Sequence, residues 1–144
     1  MHLNDNFYYI AALLKLNQGY CCMNEVNYQY VNLQSLKEDT FGDESILKEI
    51  MGLFIELIDE YTSILNKELP HKNWQALFQA THKIKPNIFM FGISSLEKTI
   101  LELDLNFRNE VNLETVDCLV DYAILILEEV KNELITELKL MTDE

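Results

Sequence analysis

His82, Lys83 and Lys85 lie together on a chain that is otherwise strongly acidic, and their types suit chemistry on an anion. An imidazole is a nucleophile at neutral pH, and an ammonium group offsets negative charge. From Leu69 to Leu96 there is no Asp or Glu, although the whole chain holds 24 of them. Those 28 residues contain Lys72, Lys83 and Lys85 and two of the three histidines, His71 and His82. A local reversal of charge around a histidine points to a site that meets an anion, with a phosphoryl group the leading candidate.

The spacing of the apolar residues says how these groups are presented. With His82 set at zero and a step of about 100° per residue, Leu77, Ala80, Ile84, Ile88 and Phe91 cluster about 200° round the helix. That stripe is the expected core face. His82 falls on the opposite face, with Gln75, Phe78, Gln79, Lys85, Pro86 and Phe89 around it. A histidine on a charged surface would account for His82 and the lysines. It would not account for two aromatic rings beside them, which are better explained if a partner covers them.

The elements that must position this face are helices. Four Gly and two Pro leave little room for β-turns, and Leu, Ile, Glu and Lys dominate. Tyr30 to Lys37 reads as a short helix, broken at Thr40-Phe41-Gly42. Asp43 can N-cap a long amphipathic helix from Glu44 to about Glu68. Pro70 and His71 mark a turn, Asn73 caps the helix that carries His82, and Gly92 ends it at C′. Ser94-Ser95-Leu96-Glu97 has the form of a capping box and opens a helix through about Phe107. Asn112 is the expected cap of the last helix, where Leu113, Val116, Val120, Ala123, Leu127, Val130, Leu134 and Leu138 share a face. The expected fold is therefore all-α: an up-down-up-down antiparallel four-helix bundle with a short extra helix or helices at the N-terminus.

The bulk composition narrows the functions. A chain of 144 residues is long enough for one domain with its own core. A formal charge of -13 argues against nucleic acid and against an anionic membrane surface. Cys21, Cys22 and Cys118 have neither metal-ligand spacing nor a disulfide framework, which fits a reducing, cytoplasmic compartment. Residues 1–27 are expected to form an N-terminal extension, either a short helix or a disordered segment, ahead of a domain spanning 28–144. Its apolar run Phe7 to Leu14 is too short to span a bilayer and lacks the flanks of a signal peptide. Met23 is an alternative start for the domain.

From about Tyr30 onward the chain resembles the histidine-containing phosphotransfer (HPt) domain of bacterial multistep phosphorelays. That family opens with a pattern like Phe-x-Gly-Asp-x-x-Leu-x-x-x-Leu-x-x-Phe. Here Phe41-Gly42-Asp43-Glu44-Ser45-Ile46-Leu47 runs on to Ile50, Met51 and Phe54 in similar style. Asn73-Trp74 stands where the family has Asp-Trp, and Thr81-His82-Lys83-Ile84-Lys85-Pro86-Asn87 where it has Ala-His-x-Leu-Lys-Gly-Ser. Gly92 supplies the small residue ten positions after the histidine, and Leu96-Glu97 and Leu103-Asp104 echo the helix that follows. Two departures stand out. Thr81 replaces a small alanine, and Pro86 replaces the glycine four residues after the histidine, where its ring and missing N–H should kink the helix.

The resemblance implies that His82 is the phosphoryl acceptor and Lys85 the cation near the phosphoryl group, with Lys83 and Gln79 as secondary polar contacts. The partners it implies are receiver domains of hybrid histidine kinases and response regulators, docking over Gln75, Phe78, Gln79, Pro86 and Phe89. No metal or cofactor is expected on this chain itself, Mg²⁺ being supplied by the partner receiver domain. The chain would act as a monomeric phosphoryl carrier without an ATP site, since no Gly-rich phosphate loop is present. A competing expectation is a helical interaction module that binds receiver domains or other partners without being phosphorylated. A metal-binding bundle would need two inward-facing Glu-x-x-His motifs, and the sequence has only Glu68-Leu69-Pro70-His71, in a turn.

Overall fold

The computed structural model describes residues 27–142, all of whose regular structure is helical. The expected N-terminal extension lies, but for Asn27, outside the described residues. A short helix α1 (Gln34–Asp39) precedes four long ones: α2 (Glu44–Glu68), α3 (Trp74–Met90), α4 (Ser94–Asn109) and α5 (Val116–Thr142). A 3₁₀ turn over Leu113–Thr115 leads into α5. Each long helix packs on its chain neighbours, and α5 closes the ring against α2. Short connections force antiparallel neighbours, so the four form an up-down-up-down bundle.

The core follows the periodic stripes. Met51, Phe54, Ile58, Tyr61 and Leu65 of α2 meet Leu77, Ile84 and Ile88 of α3, all fully or almost fully buried. Leu96, Ile100 and Leu103 of α4 and Val120, Leu127, Val130 and Leu134 of α5 complete it. Phe54 stacks on Phe91 with centroids 4.2 Å apart, and Trp74 on Phe107 at 6.1 Å. These rings tie the two ends of α3 to α2 and α4.

Several helix ends behave as their residues predict. The Asp43 carboxylate accepts from the N–H of Ser45 and Ile46 at 3.0 and 3.2 Å, and the Asn73 side chain from the N–H of Ala76 at 3.3 Å. Gly92 ends α3 with φ of +61°. The Ile93 N–H reaches back to the Ile88 carbonyl at 3.0 Å and the Gly92 N–H to that of Phe89 at 3.1 Å, the hydrogen bonds of a Schellman motif. Gly92 has a second reason to lack a side chain, because a Cβ there would lie 2.8 Å from that of Asn32.

Other ends depart from expectation. The short helix begins four residues later than Tyr30, and the arm before it is tied to the bundle. Glu133 of α5 accepts from the N–H groups of Gln29, Tyr30 and Val31. The Asn32 N–H goes to the Phe91 carbonyl at 2.9 Å, so the arm is docked on two distant segments before its own helix begins. The Ser94–Glu97 capping box does not form: α4 starts from Ile93 with no side-chain cap. Asn112 adopts φ of +52° and caps through no side-chain bond; its carbonyl accepts from the Thr115 hydroxyl at 2.8 Å. Pro86 lies inside α3, whose helix continues on both sides of it.

Candidate functional site

The middle of α3 turns its core stripe inward and His82 outward, as the 3.6-residue period requires. The His82 side chain is 57% exposed, while Thr81 beside it and Ile84 two residues on are fully buried. Thr81 is at home in the core because its hydroxyl bonds the Leu77 carbonyl at 2.8 Å and pairs with the Tyr61 hydroxyl at 2.9 Å. Burial pushes the Tyr61 phenol above the ordinary tyrosine range, so this anchor beneath the site stays protonated.

Sequence reasoning missed the residue at the centre of the site. Asp104 of α4 is 4% exposed and lies against the imidazole, with its Oδ1 3.3 Å from His82 Nδ1. Its other oxygen, Oδ2, accepts from Arg108 Nη2 at 2.7 Å and from Lys85 Nζ at 3.4 Å. A buried carboxylate needs such partners to offset the loss of water. The signal was present in the sequence: Asp104 occupies the inward stripe of α4 beside Leu103 and Phe107, where an acidic residue demands a reason.

A ring of contacts closes around the histidine. Phe78 lies one turn before His82, its ring tilted against the imidazole with centroids 5.4 Å apart. The Arg108 guanidinium sits 5.2 Å from the Phe78 centroid, within cation–π range. Phe78, Arg108, Asp104 and His82 thus each touch the next. Phe78 is half-buried by this packing rather than exposed as the helical wheel suggested.

The two lysines part company. Lys85 is brought to the site, and Lys83 is turned to α2, where its Nζ lies 3.0 and 3.1 Å from the Glu60 carboxylate oxygens. The acid-free stretch is therefore not an acid-free surface, since Asp104 and Glu60 reach it from the neighbouring helices. Gln75, Gln79 and Pro86 are exposed. Phe89 is 45% exposed, so the proline does not rotate it into the bundle. His71 is exposed in the turn before α3, away from this cluster.

Chemically, the arrangement presents one edge of an imidazole to a buried carboxylate and the other to solvent. Nε2 has no partner among the described residues. Two cations, Lys85 of α3 and Arg108 of α4, stand 3.4 and 2.7 Å from the other oxygen of that carboxylate. Among the described residues no cluster of His, Cys, Asp and Glu is suited to hold a metal ion, and no helix is long and apolar enough to cross a membrane. Comparison with protein-family models, with curated proteins and with solved structures found no match to this chain.

Proposed function

We propose that this protein is a histidine phosphotransfer domain: His82 takes a phosphoryl group from the phosphoaspartate of one receiver domain and gives it to another. The observation that carries the reading is the exposed imidazole at mid-bundle, backed by a buried carboxylate and flanked by Lys85 and Arg108. Phosphoryl transfer asks mainly for in-line positioning and for charge stabilisation. The helix face supplies a nucleophile open to a partner's acidic site. Lys85 and Arg108 supply positive charge that offsets the phosphoryl oxygens.

The remaining chemistry belongs to the partner. In this reading the chain acts as a carrier between receiver domains, which bring the phosphoaspartate and its Mg²⁺. Gln75, Gln79, Pro86 and Phe89 surround the histidine on the open side and form the docking face, with Phe89 its apolar centre. Such a relay operates in the cytoplasm, with the chain as a monomer. The test is incubation with a receiver domain charged by acetyl phosphate. Acid-labile, base-stable phosphate on the chain, lost in His82→Gln, is expected; no label on the unaltered chain overturns the assignment.

A further inference from the structure

The two oxygens of Asp104 are not equivalent. Oδ2 carries both cations, Arg108 at 2.7 Å and Lys85 at 3.4 Å, whereas among the described residues Oδ1 meets only His82 Nδ1, at 3.3 Å. A carboxylate accepts and does not donate, so a neutral imidazole facing it must carry its hydrogen on Nδ1. The lone pair is then on Nε2, the solvent-facing nitrogen. Resting on the phosphotransfer reading, we propose that Asp104 is a positioning residue that fixes the His82 tautomer and confines phosphorylation to Nε2.

The balance of the transfer explains why a carboxylate is useful there. The Nε2 lone pair attacks phosphorus, and the bond from phosphorus to the donor carboxyl oxygen breaks, the donor carboxylate leaving with the electron pair. The Nδ1 proton does not move. The ring becomes a phosphorylated imidazolium, and its new positive charge lies beside the Asp104 carboxylate. In the return step the leaving group is a neutral imidazole, which departs far more readily than an imidazolate. Asp104 therefore stabilises the form of the phosphorylated ring that can pass its group on. With Oδ2 held by Arg108 and Lys85, Oδ1 remains directed at the ring throughout.

Two independent measurements decide this. In the unphosphorylated protein at about pH 8.5, above the range where a histidine ordinarily titrates, the imidazole ¹⁵N shifts of His82 should show a protonated Nδ1 and an unprotonated Nε2. A proton on Nε2 in the unaltered protein overturns the proposal without any variant. Treated with phosphoramidate as a small donor, the unaltered chain should carry phosphate on Nε2 alone. Asp104→Ala should carry it on both nitrogens, and Asp104→Asn should release phosphate about tenfold more slowly, as expected when a charged partner becomes a neutral one. Exclusive Nε2 labelling in Asp104→Ala sinks the tautomer role. If His82 takes no phosphate from either phosphoramidate or a charged receiver domain, the carrier reading falls instead, and the ¹⁵N shifts still judge the tautomer.

Discussion

Two carboxylates, Asp104 and Glu133, each gather several donors, yet they do opposite things for this molecule. Glu133 of α5 accepts from three successive backbone N–H groups of the N-terminal arm. Beside it the Tyr28 hydroxyl donates to Glu137. Backbone donors have nowhere else to go once the arm is laid down, and the chain continues into buried Val31 and Leu33. Asp104 instead gathers side chains from two helices, among them an imidazole more than half exposed and a guanidinium about half exposed. A carboxylate bound by backbone closes a fold, whereas one bound by side chains that reach the surface prepares a site.

The strongest way to break the contrast is His82→Gln. It should abolish phosphate acceptance while costing about 1 kcal/mol or less of stability, because Arg108 and Lys85 still pair the buried Asp104 carboxylate. Undiminished labelling of the variant would relocate the chemistry, with His71 the first residue to examine. Glu133→Ala should do the reverse. Three backbone donors lose a charged acceptor, so denaturant unfolding should show a loss of about 2–3 kcal/mol. Amide exchange at residues 29–31 should accelerate, while phosphate acceptance by folded protein stays unchanged. If Glu133→Ala impairs labelling at equal folded fraction, the arm and the site are coupled and the contrast fails.

Much of this architecture was legible because helical periodicity and local end signals act over a few residues. The stripe Leu77, Ala80, Ile84, Ile88 and Phe91 and the caps at Asp43 and Asn73 depend on nothing distant. What escaped was tertiary. A helical wheel of α3 sees Phe78 as exposed, because the Arg108 that covers it belongs to α4. It sees Lys83 and Lys85 as equals, because Glu60 and Asp104, which separate them, come from different helices. The arm misled for the same reason. Tyr30 to Lys37 has helical spacing, but Glu133 and the Phe91 carbonyl, both distant in sequence, hold the backbone of residues 29–32 against the bundle.

That separation of the lysines makes a sharper test of the site. Lys85→Ala should slow phosphoryl transfer about three- to tenfold, since it removes one of two cations and solvent weakens the remaining field. Lys83→Ala should leave the transfer rate unchanged and remove only its exposed pair with Glu60. Time courses with a charged receiver domain would measure both. Equal slowing by the two variants would mean that Lys83 leaves Glu60 when the partner docks.

The smallest effect on the free protein, and the most informative about docking, belongs to the two rings beside His82. Phe78 is packed between the imidazole and Arg108, so Phe78→Ala should cost about 1–2 kcal/mol, below the range for a fully buried aromatic, and should loosen the histidine as well. Phe89 is 45% exposed on the same face of α3. Nearly half of its surface is open, so Phe89→Ala should cost about 1 kcal/mol or less of stability. If Phe89 is the apolar centre of the docking face, the same variant should weaken receiver binding about tenfold or more, as truncation of an interface aromatic does. Titration calorimetry and thermal melts on the one variant separate the outcomes. A loss of binding with an unchanged melt assigns Phe89 to the partner, and unchanged binding moves the docking face elsewhere on the bundle.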